Sequence, residues 1–193
     1  MRAIEFLTCL LDAWGGSIPG RTLLHKRAYF VQDCAGVPDE IEFVSHFYGP
    51  YSPELDVAIG DAKAFAFLDE RLLGFRATHV DGFERRRYEF YLTEDGREFT
   101  DHVKKSRLAE YSRIVGAAAR IREAGDPDYF QLSIAAKVHF VLKKEGSPMA
   151  AYQVRSVAQA LQWNISPENL EGAVAFLERL APVRNVRSVE ARA

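Results

Sequence analysis

The segment Gly49-Pro50-Tyr51-Ser52-Pro53-Glu54 constrains the chain more than any other, because it places two prolines within four residues. Proline lacks an amide donor and fixes φ, so Pro50 cannot lie inside a sheet, and Gly49 relaxes the backbone beside it. Three residues on, the chemistry reverses. Ser52 supplies an N-cap oxygen, Pro53 suits the first helical position, and the Glu54 carboxylate complements the positive end of a helix. Whatever precedes the segment must end there, and a helix must begin. Upstream, Glu42 to Tyr48 contains Phe43, Val44, Phe47 and Tyr48, which predicts a short strand. Downstream, the spacing predicts a third helix to about Leu68, burying Leu55, Ile59, Ala62 and Phe65 or Ala66.

Two helices are expected before this point. Ile4, Leu7, Leu10, Leu11 and Trp14 recur at helical spacing until Gly15-Gly16 breaks the pattern, and a second apolar helix runs from about Thr22 to Ala35. After the third helix, Gly74–Val80 and Arg87–Leu92 are strand-like and flank Asp81-Gly82, a pair suited to a hairpin turn. Arg85, Arg86 and Arg87 stand at its return. Thr93-Glu94-Asp95 starts a long helical region to about Glu123, with an interruption expected near Gly116. The turn Asp126-Pro127-Asp128 opens a helix that ends at Gly146. Another is marked by Val154, Val157, Ala158 and Leu161, and Ser166-Pro167-Glu168 repeats the earlier start signature before the last.

Mainly α with a small β-hairpin is therefore the expected fold class: a winged helix-turn-helix N-terminal half plus a C-terminal helical bundle. The expected divisions are 1–100 for the winged helix, 101–125 for a connecting basic helix, 126–182 for three helices, and 183–193 for a tail.

The N-terminal segments resemble known families. Thr22-Leu23-Leu24-His25-Lys26-Arg27-Ala28-Tyr29-Phe30, His46-Phe47-Tyr48-Gly49-Pro50-Tyr51-Ser52-Pro53-Glu54-Leu55 and Tyr91-Leu92-Thr93-Glu94-Asp95-Gly96 resemble the YwgA-like proteins and the related Panacea, or SocA-type antitoxin, domains. The Panacea-type likeness covers roughly residues 1–100, and the YwgA-like pattern continues to Leu180. His25 stands where these families commonly have glutamine, and Arg27 where an apolar residue is common. The resemblance implies a prokaryotic winged-helix protein without enzymatic activity, serving as regulator, antitoxin or partner-binding adaptor.

Composition narrows the function classes. The 193 residues carry 25 Lys+Arg against 27 Asp+Glu, a net charge of −2 that excludes an overall basic coat for nucleic acid. Cys9 and Cys34 are too few for a disulfide framework or a four-cysteine zinc site and read as buried thiols of a reducing cytosol. Met1–Trp14 includes Glu5 and Asp12 and lacks a small-residue cleavage site, so no secretory signal is expected there. No apolar run is long enough for a membrane span. Zinc-protease, dithiol, phosphate-loop and serine-elbow motifs are missing, so neither catalytic residues nor a metal nor another cofactor is expected.

Two readings of the surface compete. Arg85, Arg86 and Arg87 on the hairpin, with Lys104, Lys105 and Arg107 on the connecting helix, could hold duplex DNA by its phosphates. The third helix argues against insertion in the major groove, since between Ser52 and Glu70 it carries Glu54, Asp56, Asp61, Asp69 and Glu70 against Lys63 alone. The alternative is a protein-interaction module whose partner, a toxin, a protease or a defence-system component, meets Tyr48 and Tyr51 of the turn and Glu54, Asp56 and Asp61 of the helix. Lys26, Gly49, Pro50 and Ser52 are structural in either reading, the Lys26 ammonium being expected to meet Glu54 or the carbonyls around Gly49. The apolar stripe of the connecting helix could also form a homodimer seam.

Overall fold

The computed structural model describes residues 1–37, 40–75 and 86–180. Among these the chain is mainly helical, with eight α-helices and one three-stranded antiparallel sheet. The elements are α1 (Ala3–Ala13), β1 (Ser17–Pro19), α2 (Arg21–Ala35), α3 (Pro53–Ala64), β2 (Leu68–Phe75), β3 (Arg86–Leu92), α4 (Glu94–Ser106), α5 (Leu108–Glu123), α6 (Tyr129–Glu145), α7 (Ala151–Ala160) and α8 (Pro167–Leu180). No described helix is long and apolar enough to cross a membrane. The chain forms two compact units, one of residues 1–42 and 52–118, the other of 43–51 and 119 onward.

In the first unit, α1 buries Phe6, Leu7, Leu10 and Leu11 against α3 and α4, and the sheet contributes Ile18, Leu68, Phe90 and Leu92 to the same core. The strand order is β1-β3-β2, with Ser17 opposite Tyr91 and Leu68 opposite Leu92. A bulge lies between Leu72 and Gly74. The sheet's outer side is a polar ladder: Ser17 Oγ donates to Glu89 Oε1 at 2.9 Å, Arg71 pairs with Glu89, and the Tyr91 hydroxyl donates to Asp69 Oδ2 at 3.0 Å. That last bond raises the Tyr91 phenol pKa above its ordinary value.

Thr93 caps α4 by accepting from Gly96 N at 3.0 Å, and its hydroxyl donates to the Ala66 carbonyl at 2.5 Å. A Cβ on Gly96 would lie 1.9 Å from the Phe67 carbonyl oxygen, so this glycine is required for α4 to meet the start of β2. The Leu-Thr-x-x-Gly sequence at 92–96 is thereby explained by packing.

In the second unit, α6 packs against α7 and α8 through Leu132, Ala135, Ala136, Val138, Val154, Ala173, Phe176 and Leu177. Asp128 caps α6 by accepting from Phe130 N and Gln131 N, each at 2.9 Å, and Ser166 Oγ caps α8 by accepting from Asn169 N at 3.2 Å.

Four expectations are corrected. No strand spans Glu42–Tyr48; Val44 and Tyr51 form an isolated antiparallel bridge, their amides and carbonyls exchanging bonds of 2.8 and 3.0 Å. The ladder cannot lengthen because Gly49 takes φ +97, Pro50 has no donor, and Ser52 already caps α3. A strand absent from the expectation, β1, occupies Ser17–Pro19. α3 ends at Ala64 rather than near Leu68, since Ala66 adopts φ +57 and Phe67 N returns to Ala62 O at 2.8 Å, which lets β2 begin at Leu68 instead of Gly74. The long helix breaks at Arg107, not near Gly116, which lies inside α5. Asp81-Gly82, Arg85 and the tail from 181 lie outside the described residues.

Candidate functional site

The residues expected to serve as sites fall into three groups, two in the first compact unit and one in the second. In the first unit α3 presents two chemically distinct sides. Leu55, Ala58, Ile59 and Ala62 are buried, while Glu54, Val57, Gly60, Asp61 and Ala64 face outward. Val57 and, at the helix end, Phe65 are each 63% exposed. Phe65 continues an aromatic row, its ring 5.8 Å from Phe67, which stacks on Phe99 at 4.4 Å. Gly60 lies mid-helix, where glycine costs roughly 1 kcal/mol relative to alanine, yet an added Cβ would meet nothing within 4 Å. Among the described residues no contact requires it.

Each carboxylate of α3 has a separate fate. Ser52 Oγ is fully buried, accepts from Leu55 N at 3.2 Å and donates to Glu54 Oε2 at 2.7 Å. The Ser52 hydroxyl, then backbone N–H groups, hold the exposed Glu54 carboxyl below its usual range. Asp56 turns toward α2, receiving Arg21 Nη1 at 2.9 Å and His25 Nε2 at 3.1 Å. Burial lowers the His25 pKa, with the Asp56 bond and charge opposing it. Since the carboxylate only accepts, neutral His25 carries its proton on Nε2. Asp61 stays exposed. Lys63 is paired with Glu70 at 2.9 Å. Lys26 is 2% exposed, so its ammonium is withdrawn from solvent.

Lys104 on α4 and Arg107 at the α4–α5 junction are drawn into the first unit's own ion pairs. Lys104 Nζ meets Asp12 at 3.1 Å and Asp101 at 3.0 Å and lies 5.3 Å over the Tyr111 ring. Burial works against the Lys104 ammonium, but hydrogen bonds to Asp101 and Asp12 outweigh it and raise its pKa. Tyr111 donates to Asp12 Oδ2 at 2.7 Å; burial first and that bond second push its phenol up to about 12. Arg107 Nε pairs with Glu5 at 3.2 Å and its Nη1 with Glu110 at 3.5 Å, and the terminal ammonium of Met1 also reaches Glu110 at 3.1 Å. Lys105 is exposed. Arg86 and Arg87 lie on β3 opposite Phe75 and Gly74.

In the second unit, residues 43–51 form an arm anchored by two bonds to its backbone. Ser133 Oγ donates to Tyr48 O at 2.8 Å, and Trp163 Nε1 donates to His46 O at 2.7 Å. Gly49 and Pro50 are buried, and Gly49 N closes the turn on His46 O at 2.9 Å. The half-buried rings of Tyr48 and Tyr51 lie 6.0 and 5.0 Å from His46, while Phe47 stands edge-on to Tyr48 and is 56% exposed.

Val57 and Gly60 escape a sequence reading that follows only the buried stripe, and the expected burial of Phe65 or Ala66 is corrected: α3 ends at Ala64 and both are exposed. The available signal was an apolar residue, Val57, opposite the Leu55–Ile59–Ala62 face. Among the described residues no group of three His, Cys, Asp or Glu side chains could hold a metal ion. The Cys9 thiol is pushed up to about 12, by burial first and the Asp12 charge second, which disfavours a nucleophilic thiolate. No family model matches the chain, and no curated protein matches it.

Proposed function

We propose that the first unit is a winged helix, like those its Thr22–Phe30 and Leu92–Gly96 segments resemble, and that it binds a protein through the outer side of α3. The order α1-β1-α2-α3-β2-β3 with a β1-β3-β2 sheet supports the winged-helix reading, and α3 then occupies the place of a recognition helix. The observation that carries the protein-binding reading is the makeup of that side: exposed Val57 and Phe65, an unconstrained Gly60, and the carboxylates of Glu54 and Asp61. Phosphates would be repelled there, whereas a basic and apolar protein surface would be attracted and desolvated. The role is that of a non-enzymatic antitoxin or adaptor.

The test is co-purification from the source cell. A stoichiometric partner retained by the wild type and lost by Val57→Asp and Asp61→Arg, with helical content unchanged, is expected. Retention of the partner by both variants refutes the surface.

A second reading, a DNA-associated regulator, draws on Arg86 and Arg87 at the hairpin end of β3 and on exposed Lys105. It requires low-salt binding to mixed-sequence duplex that falls steeply with added salt and is lost in Arg86→Ala/Arg87→Ala. That result would replace the first reading.

A further inference from the structure

α8 carries a stripe that its own unit does not explain. Glu168, Gly172, Ala175 and Arg179 are spaced by four, three and four residues, the interval at which side chains line one seam of a paired helix. They lie along a groove of about 490 Å³ whose other wall is built from Gly125, Pro127 and Gln131. Glu168, Gly172 and Arg179 are exposed and Ala175 is half-buried. Arg179 Nε donates to the Ala124 carbonyl at 2.8 Å, which fixes the guanidinium at one end of the groove. Among the described residues neither the Glu168 carboxylate nor the Arg179 guanidinium has an ion-pair partner.

Gly172, in the middle of the stripe, stands where a larger side chain would fit. It sits inside a 14-residue helix, where glycine is costly, and a Cβ built on it would meet nothing within 4 Å. Among the described residues, then, no contact requires its smallness. A small residue on a helix surface permits another helix axis to approach to about 8 Å.

The stripe is also a palindrome. Reversing its direction exchanges Glu168 with Arg179 and Gly172 with Ala175, so the stripe is complementary in charge and shape to a second copy of itself run antiparallel. We propose that this groove receives α8 of a second copy of the chain, the two-fold axis passing between Gly172 and Ala175, with Glu168 of each copy meeting Arg179 of the partner subunit. An interface of this kind is isologous and closes at two subunits. Glu171 and Glu178, also exposed on α8, flank the seam and add negative charge near it, which makes the two Glu168–Arg179 pairs the feature that selects the antiparallel direction. This inference does not depend on the partner surface assigned to α3.

Sedimentation of the full chain tests it. The wild type is expected to be a concentration-dependent dimer. Gly172→Gln, whose side chain has room in the isolated chain, should leave helical content intact and raise the dissociation constant at least about tenfold. Glu168→Arg and Arg179→Glu should each weaken the dimer by a similar factor, and the double variant, which restores opposite charge across the seam, should recover it. A wild type that stays monomeric at millimolar concentration overturns the proposal. So does a dimer indifferent to Gly172→Gln, or one that the double reversal fails to recover.

Discussion

Alanine in place of Gly96 should be among the more damaging single-methyl additions in this chain. The new Cβ would stand 1.9 Å from Phe67 O and 2.8 Å from the Phe67 carbonyl carbon. Carbon and carbonyl oxygen settle no closer than about 3.3 Å, so α4 and the Phe67 peptide must separate by more than about 1 Å. That peptide is tethered on each side. Phe67 N donates to Ala62 O at 2.8 Å, Phe67 O accepts from Thr93 N at 3.2 Å, and the adjoining Ala66 carbonyl accepts from the Thr93 hydroxyl at 2.5 Å. Disrupting one or two of these bonds costs about 1 kcal/mol each, and overpacking adds roughly 1–3 kcal/mol. Alanine's better helix propensity returns at most about 1 kcal/mol. The net loss should be about 1–5 kcal/mol. Gly60→Ala is the internal control: its Cβ meets nothing within 4 Å, so the same chemical change should stabilise by about 0.5–1 kcal/mol. Urea unfolding followed by far-ultraviolet circular dichroism measures both. If Gly96→Ala is as stable as the wild type, or if Gly60→Ala loses as much as Gly96→Ala, the packing argument is wrong.

His25 gives a pH prediction of definite sign. Its folded pKa lies below 6.5, so on acidification the unfolded chain takes up a proton before the folded one does. Stability should be unaffected by His25 above that value and fall as pH drops from it to the folded pKa. His25→Gln should flatten this slope, and an unchanged slope would refute it. Cys9 is fully buried with its thiol pushed up to about 12, whereas Cys34 is half-buried. A disulfide exchange reagent at mildly alkaline pH should therefore label Cys34 in the native protein and Cys9 only on unfolding; equal labelling rates would contradict the burial. Trp163→Phe removes the 2.7 Å bond to His46 O and leaves that carbonyl its 2.9 Å bond from Gly49 N, at about 0.5–1.5 kcal/mol. Chymotryptic cleavage after exposed Phe47 should accelerate, and unchanged protection would show that Trp163 does not hold the arm.

Local signals were legible where one residue's chemistry sufficed. Ser52, Thr93, Asp128 and Ser166 start helices as N-cap chemistry requires, and Gly36 and Gly146 end them with φ of +63 and +66. What the sequence hid depends on remote partners. β1 is three residues ending in proline, below any periodicity threshold, and becomes a strand only because β3 lies beside it, Ser17 facing Tyr91. The strand expected at Glu42–Tyr48 had the right residue types and no partner to extend against. Of the candidate site, the Ser52 cap and the exposure of Glu54 and Asp61 were readable. The diversion of Asp56 to Arg21 and His25 was not, because a helical carboxylate does not reveal which neighbouring helix it faces.

The same dependence on remote partners bears on the two functional readings. Counting charges along Val103–Glu123 gives a basic stretch, and the fold subtracts from it. Lys104 and Arg107 lie against Asp12, Asp101, Glu5 and Glu110, and Arg113 donates to the Ala35 carbonyl at 3.2 Å. A cation already paired with a carboxylate must break that pair before neutralising a phosphate. The net gain from releasing counterions shrinks accordingly, and with it the salt dependence expected of a duplex binder. On α3 the same pairing takes Asp56, held by Arg21 and His25, while Lys63 turns to Glu70, and Glu54 and Asp61 keep their negative charge in solvent beside Val57 and Phe65. Intramolecular pairing thus draws Lys104 and Arg107 from the surface expected to hold DNA and Asp56 from the surface proposed to meet a basic protein, where Glu54 and Asp61 stay exposed. A single measurement separates them: if Lys104→Met and Arg107→Met leave any duplex affinity unchanged while reducing folding stability, these residues serve the fold rather than the phosphate backbone.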